Sequence, residues 1–167
     1  MAAELIKTGT SGLDQVMKGG LRKNSSILVT GAPGTGKTLL ALQFIYYGAK
    51  EFNENGIFIT TEESLEVLHQ SGLNLGMDLK QMLDKSRMFI LQKPIATLKG
   101  GLASVKGLID AIKKYNIKRV ALDSLIFFEY LYPKFNGNKM EYRRQVLLFM
   151  QQMRKSGVTF LVVSEDL

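Results

Sequence analysis

The stretch GAPGTGKT, Gly31 to Thr38, constrains this chain more than any other feature. It follows the apolar run Ile27-Leu28-Val29 and precedes Leu39, Leu40, Phe44 and Tyr47, which recur at helical spacing. Two glycines followed by Lys and Thr fit the template G-x-x-x-x-G-K-[ST]. A strand that enters and a helix that leaves let successive backbone N–H groups ring a phosphate at the helix N-terminus. Gly31, Gly34 and Gly36 remove side chains that would block such an approach. The expected nucleotide-binding residues are therefore Gly31, Ala32, Pro33, Gly34, Thr35, Gly36, Lys37, Thr38 and Leu39. Lys37 would reach the β- and γ-phosphates and assist catalysis, while the Thr38 hydroxyl would ligate Mg²⁺. ATP and Mg²⁺ are the expected ligands.

Such a loop needs an acid to complete the magnesium shell, at the carboxyl end of a parallel strand where ligands of open α/β sheets collect. Asp123 in RVALDS meets this requirement and would act partly through water. Hydrolysis needs, in addition, a group that orients water near the γ-phosphate. The run GIFITT ends in Glu62-Glu63, and two neighbouring carboxylates raise each other's proton affinity. Glu62 is placed ahead of Glu63 as the base. Acids also favour the first turn of a helix, and Ser64 can begin one, so a capping role competes with catalysis. Ser164, at the tip of a further strand, is a candidate γ-phosphate sensor.

The rest of the chain supplies the frame. Ser26 to Thr30, Gly56 to Thr61, Arg119 to Asp123 and Val158 to Ser164 read as strands, with a weaker one over Met88 to Leu91. Helices are expected over Thr38 to Lys50, Leu102 to Tyr115 and Met140 to Lys155, with another inside Leu73 to Ser86. This alternation predicts an α/β fold of three layers, a mostly parallel sheet flanked by helices. The 167 residues, 46% of them hydrophobic, suit a single domain over 1–167. With no Cys and one His, any metal is expected to be held by oxygen. No apolar run approaches the length of a membrane span and the N-terminus does not read as a secretory signal, so the expected location is the cytoplasm. The net charge of +7, part of it carried between Lys80 and Arg119, favours polyanions if those cations share a face. YLYPKFNGN, Tyr130 to Asn138, reads as a loop whose aromatics either pack or stack on bases.

With these motifs in order, the chain resembles the KaiC-like and RadA-like branch of RecA-type ATPases. The carrying residues are TGTSGLDQVMKGGL (8–21), GAPGTGKT (31–38), IFITTEES (57–64), RVALDSL (119–125) and GVTFLVVSE (157–165). The resemblance implies a RecA-like core in which the strand Thr159 to Ser164 lies between the phosphate-loop strand and the Asp123 strand. It implies hydrolysis through Glu62 and Glu63, and a homo-oligomer, ring or filament, with ATP between subunits. Family domains continue with several strands beyond the one matching Thr159 to Ser164, so the expectation is a core lacking the family's C-terminal strands and slow turnover. An ATPase coupling nucleotide state to assembly or signalling is the leading function. A recombination module with DNA as partner and a nucleotide-stabilised scaffold are the rivals.

Overall fold

The computed structural model describes residues 4–92, 101–128 and 139–165. The loop expected at Tyr130 to Asn138 lies outside them. Two short strands, β1 (Leu5–Ile6) and β2 (Leu21–Arg22), pair antiparallel around α1 (Leu13–Val16). Then follow β3 (Ser26–Thr30), α2 (Lys37–Glu51), β4 (Asn55–Thr60), α3 (Leu65–Asn74), α4 (Leu79–Asp84) and β5 (Met88–Gln92). The chain continues with α5 (Gly101–Lys114), β6 (Ile117–Asp123), α6 (Lys139–Lys155) and β7 (Thr159–Ser164). The expected elements are all present within one or two residues. The stretch Leu73 to Ser86 holds the end of α3, a turn over Gly76 and the whole of α4.

Strands β3 to β7 form one sheet of order β3-β7-β6-β4-β5, with every pairing parallel. The strand Thr159–Ser164 therefore lies between the phosphate-loop strand and the Asp123 strand, as the resemblance implied. Both faces are covered, which explains why β6 and β7 are buried almost without alternation, around the apolar runs Val120-Ala121-Leu122 and Phe160 to Val163. On one face Phe58, Ala121, Leu161 and Val163 pack against Leu42, Phe44 and Ile45 of α2, with Leu68, Leu79 and Met82 of α3 and α4 beyond. On the other, Ile59, Val120, Leu122 and Val162 meet Leu108 and Ile112 of α5 and Phe149 and Met153 of α6. Each such side chain contributes about 1.5–3 kcal/mol of burial. Two apolar cores with a sheet between them make the three-layer α/β arrangement.

The N-terminal segment TGTSGLD straps onto α2. The Thr8 N–H bonds the Asp14 carboxylate at 2.8 Å, and Thr10 Oγ1 donates to Gln43 Oε1 at 3.1 Å. Gly9 lies so close to Tyr47 that any Cβ would overlap its side chain. Strand β3 is an edge of the sheet among the described residues, and its Leu28 is 50% exposed.

Candidate functional site: a phosphate loop with an acidic rim

Parallel pairing brings the carboxyl ends of four strands side by side. Thr30 pairs with Ser164, Val163 with Asp123, and Asp123 with Thr60. Residues 31 to 36 leave the first of these ends and enter α2 with Gly36 as its N-cap. At two of the three glycines the turn adds a conformational reason to the expected clearance for a phosphate. A Cβ on Gly34 or Gly36 would meet nothing within 4 Å, but both residues hold φ near +80°, at 78 and 87°, where side-chain-bearing residues are strained. Only at Gly31 is there crowding, with the Thr35 hydroxyl 2.9 Å from a built Cβ.

Thr35 donates its hydroxyl to the Ala32 carbonyl at 2.9 Å and so fixes the curvature of the loop. Lys37 Nζ arches back and donates to the carbonyls of Gly31 and Ala32, both at 2.8 Å. The ammonium thus lies across the mouth of the loop, and among the described residues it is in no ion pair. Pro33 is exposed at the loop's outer edge and Leu39 is half-buried in the first turn of α2.

Asp123 ends β6 and is 8% exposed. Burial pushes its carboxyl above the ordinary carboxylate range. A hydrogen bond from the Thr38 side chain opposes this, Glu62 and Glu63 add to the upward push, and Lys37 draws it down. The two expected magnesium ligands, Thr38 and Asp123, are therefore neighbours where the start of α2 meets the end of β6.

The acidic pair stands on the next strand. Thr60 Oγ1 accepts the N–H groups of both Glu62 (3.3 Å) and Glu63 (3.1 Å), which bends the chain sharply at the end of β4. Ser64 then caps α3, accepting the Val67 N–H at 3.3 Å. The capping reading thus applies to Ser64 and leaves both carboxylates outside the helix. Ser124 Oγ approaches Glu62 Oε1 at 3.4 Å, joining the Glu62 side to the Asp123 strand. Ser164 is buried at the tip of β7, and its hydroxyl donates to the neighbouring Glu165 carbonyl at 2.9 Å.

Sequence reasoning missed Thr60 and Ser124. A hydroxyl residue closing the apolar run of GIFIT, and another directly after a strand-ending Asp, were the available signals. It also counted Arg119 among the cations available to a polyanion. That is corrected here: Arg119 is fully buried, ion-paired with Glu54 and bonded to the Phe44 carbonyl, at the end of β6 remote from Asp123.

The arrangement can surround an oligophosphate with backbone donors and one ammonium, and it offers a hydroxyl and a carboxylate to a cation. Comparison with known proteins agrees with it. The family model described as ATPase: KaiC matches residues 6–166. Circadian clock oscillator protein KaiC of Prochlorococcus marinus subsp. pastoris is 36% identical over 99% of this chain and 33% of its own length. The proteins of the same name from Picosynechococcus sp. and Thermostichus vulcanus are each 34% identical, over 97% and 96% of this chain and 32% of their own length. The chain therefore spans about a third of the length of these curated relatives. With its phosphate loop, its parallel sheet order and its match across nearly the whole chain, it belongs to the KaiC family of RecA-type P-loop ATPase domains.

Proposed function

We propose that residues 1–167 form one domain that binds ATP with Mg²⁺ and hydrolyses it by water attack on the γ-phosphate, coupling nucleotide state to assembly with further copies of itself in the cytoplasm. The observation that carries the reading is the phosphate loop itself, with Lys37 Nζ donating across its mouth to the Gly31 and Ala32 carbonyls, and with the buried Asp123 carboxyl at the end of β6 within the electrostatic reach of Thr38 and Lys37. A hydroxyl and a single carboxylate, with phosphate oxygens and water for the rest, is a donor set that fits Mg²⁺, which keeps several waters and rarely uses an all-protein cage. Among the described residues no group of three or more His, Cys, Asp or Glu could hold a metal ion, which fits the same sparse coordination. Bound there, the ion would neutralise charge developing on the phosphates.

The protein's own groups have separate tasks. N–H groups from Gly31 to Thr38 and Leu39 receive the phosphate oxygens. Lys37 exchanges its two carbonyl acceptors for the β- and γ-phosphates, a swap between partners that costs little because the ammonium is already at the mouth. Asp123 would hold the cation through its ionised carboxylate, which the cation's charge would favour over the protonated form. Glu62, joined to Ser124, is placed to orient water and accept its proton; Glu63 supports it, and Ser164 reports on the γ-phosphate.

Calorimetry on the wild type and Lys37→Ala tests binding, and phosphate release by Glu62→Gln tests chemistry. Loss of the charge-assisted phosphate contact should cost about 1.5–3 kcal/mol, tenfold or more in affinity. Glu62→Gln should bind normally and turn over poorly. Equal ATP affinity in wild type and Lys37→Ala would remove the phosphate-loop assignment, and normal turnover with both Glu62→Gln and Glu63→Gln would remove the catalytic one.

A further inference from the structure

At the amino end of the sheet, where α2 and α4 both end, lies a cavity of about 260 Å³. Buried Ala49 and Met82 form the apolar part of its lining, and Lys50, Lys85 and Arg87 stand around it with one acid, Glu51. Helix α2 runs from the phosphate loop to this cavity, so its 15 residues set the two places about 20 Å apart at 1.5 Å per residue.

Arg87 is the half-buried cation of the three. Its Nη1 donates to Asn55 Oδ1 at 3.3 Å, and Asn55 Nδ2 donates to the Tyr115 carbonyl at 2.9 Å. A neutral amide, itself anchored, thus holds the guanidinium just before β5. Lys50 Nζ lies 5.3 Å from the centroid of the buried Tyr46 ring, which draws the ammonium against the protein. Among the described residues neither these cations nor Glu51 is in an ion pair.

Helix ends account for part of the cluster, since carbonyl dipoles favour cations there, and Lys50 ends α2 while Lys85 caps α4. Arg87 belongs to neither helix. Three positive charges around one cavity repel each other, Glu51 offsets one of them, and concave, partly apolar walls strengthen the field that is left. A multiply charged anion relieves that repulsion. The guanidinium fork matches the oxygens of one phosphate group, and lysines supply point charges to another. The volume equals about nine waters at roughly 30 Å³ each, enough for two linked phosphates.

We propose that this cavity binds a small anion carrying two phosphate groups, Arg87 holding one and Lys50 and Lys85 the other, at a site separate from the phosphate loop.

The test is titration with pyrophosphate, without Mg²⁺, followed by NMR and calorimetry on wild type, Lys37→Ala, Arg87→Lys and the double variant Lys50→Gln/Lys85→Gln. Both lysines are exposed, so the double variant should keep the wild-type melting temperature. Pyrophosphate should shift the Arg87 Nε–H signal and the Asn53 and Lys85 amides, with Lys37 present or replaced. Affinity should fall on the order of tenfold or more in the double variant, fall several-fold in Arg87→Lys, which keeps the charge and loses the fork, and weaken as salt rises. Inorganic phosphate should bind about tenfold more weakly than pyrophosphate, having one group to offer in place of two. Methyl diphosphate binding tighter than pyrophosphate assigns the site to a diphosphate ester, and the reverse order assigns it to the free ion. Pyrophosphate that moves only signals from residues 31 to 39, that binds the double variant as tightly as wild type, or that binds no better than phosphate overturns the proposal.

Discussion

Gly48, in the fourth turn of α2, is a site where ordinary helix chemistry gives the wrong sign. Alanine in a helix interior is better than glycine by about 1 kcal/mol, so Gly48→Ala looks stabilising. In the fold, however, the added Cβ would lie 2.5 Å from Arg119 Nε and 2.9 Å from Arg119 Cζ. The guanidinium has nowhere to go. Its Nε donates to Glu54 Oε2 at 2.6 Å, Nη1 donates to the Phe44 carbonyl at 3.0 Å, and the rings of Phe44 and Phe52 lie 4.7 and 5.3 Å from Cζ.

Moving it strains the ion pair, where each charge-assisted bond is worth about 1.5–3 kcal/mol, and overpacking adds about 1–3 kcal/mol. Losing one such bond and paying the packing strain, less the helix gain, leaves a net destabilisation of about 3 kcal/mol. For a domain of this size that lowers Tm by about 6–12 °C. Urea unfolding of the unliganded protein measures it, and Arg119→Met supplies the control. A methionine leaves room for the new methyl, and Glu54, 22% exposed, can turn to water. The double variant should therefore be more stable than the two separate losses predict, by about 1 kcal/mol or more. Gly48→Ala as stable as wild type, or additive with Arg119→Met, would refute the claim that the guanidinium is immobile.

Asp123→Asn should stabilise the unliganded protein. Its folded-state pKa is raised, so the proton is held more tightly in the folded chain; this carboxyl favours folding at low pH and opposes it once the pH rises through the folded value. Removing the buried charge should gain about 0.5–2 kcal/mol at pH 7 to 8, with the gain fading as the pH falls toward 4, while Mg²⁺-dependent nucleotide binding weakens; a lower Tm at pH 8 contradicts it. Gly36→Ala places a methyl in open space at φ 87°, so calorimetric melting should show a backbone penalty alone, about 1–2 kcal/mol, together with weaker ATP binding from misaligned N–H groups; no loss in either measurement refutes the conformational argument. Leu28→Lys, on the exposed face of the edge strand, should reduce concentration-dependent light scattering if β3 mediates self-association, and unchanged scattering assigns association to another surface.

What could be read from the sequence was local. The glycines, Lys37 and Thr38 act through their own backbone or a single reach, so eight consecutive residues specify them. The strands and helices followed from patterns of the same kind, whereas the order β3-β7-β6-β4-β5 came through the family resemblance, since periodicity does not say which strands are neighbours. Thr60 and Ser124 escaped because their meaning depends on pairing between β4 and β6, strands separated by three helices and another strand. Arg119 escaped for a related reason: a cation opening RVALD reads as a solvated strand end until a carboxylate from another segment is seen beside it.

Yet β6 carried a further clue. Side chains of a strand alternate, so Arg119, Ala121 and Asp123 point to one face, and that face is covered by α2. The end residues lie about 13 Å apart at 3.3 Å per residue. Along α2, Thr38 and Gly48 are separated by about 15 Å at 1.5 Å per residue. The lengths match, and the polar ends meet their partners: Asp123 lies within the influence of the Thr38 side chain beside the phosphate loop, while Arg119 packs on Gly48 at the far end. One face of one strand thus sets the axial position of α2 twice, with apolar Ala121 between. A helix pinned at both ends cannot slide to relieve a misfit at one of them. The methyl of Gly48→Ala, although remote from the loop, therefore presses on the side chain of the strand that carries Asp123 and on the face that α2 covers, and its effect on Mg²⁺-dependent binding should exceed that of an equally destabilising substitution in α5, which packs on the opposite face of the sheet.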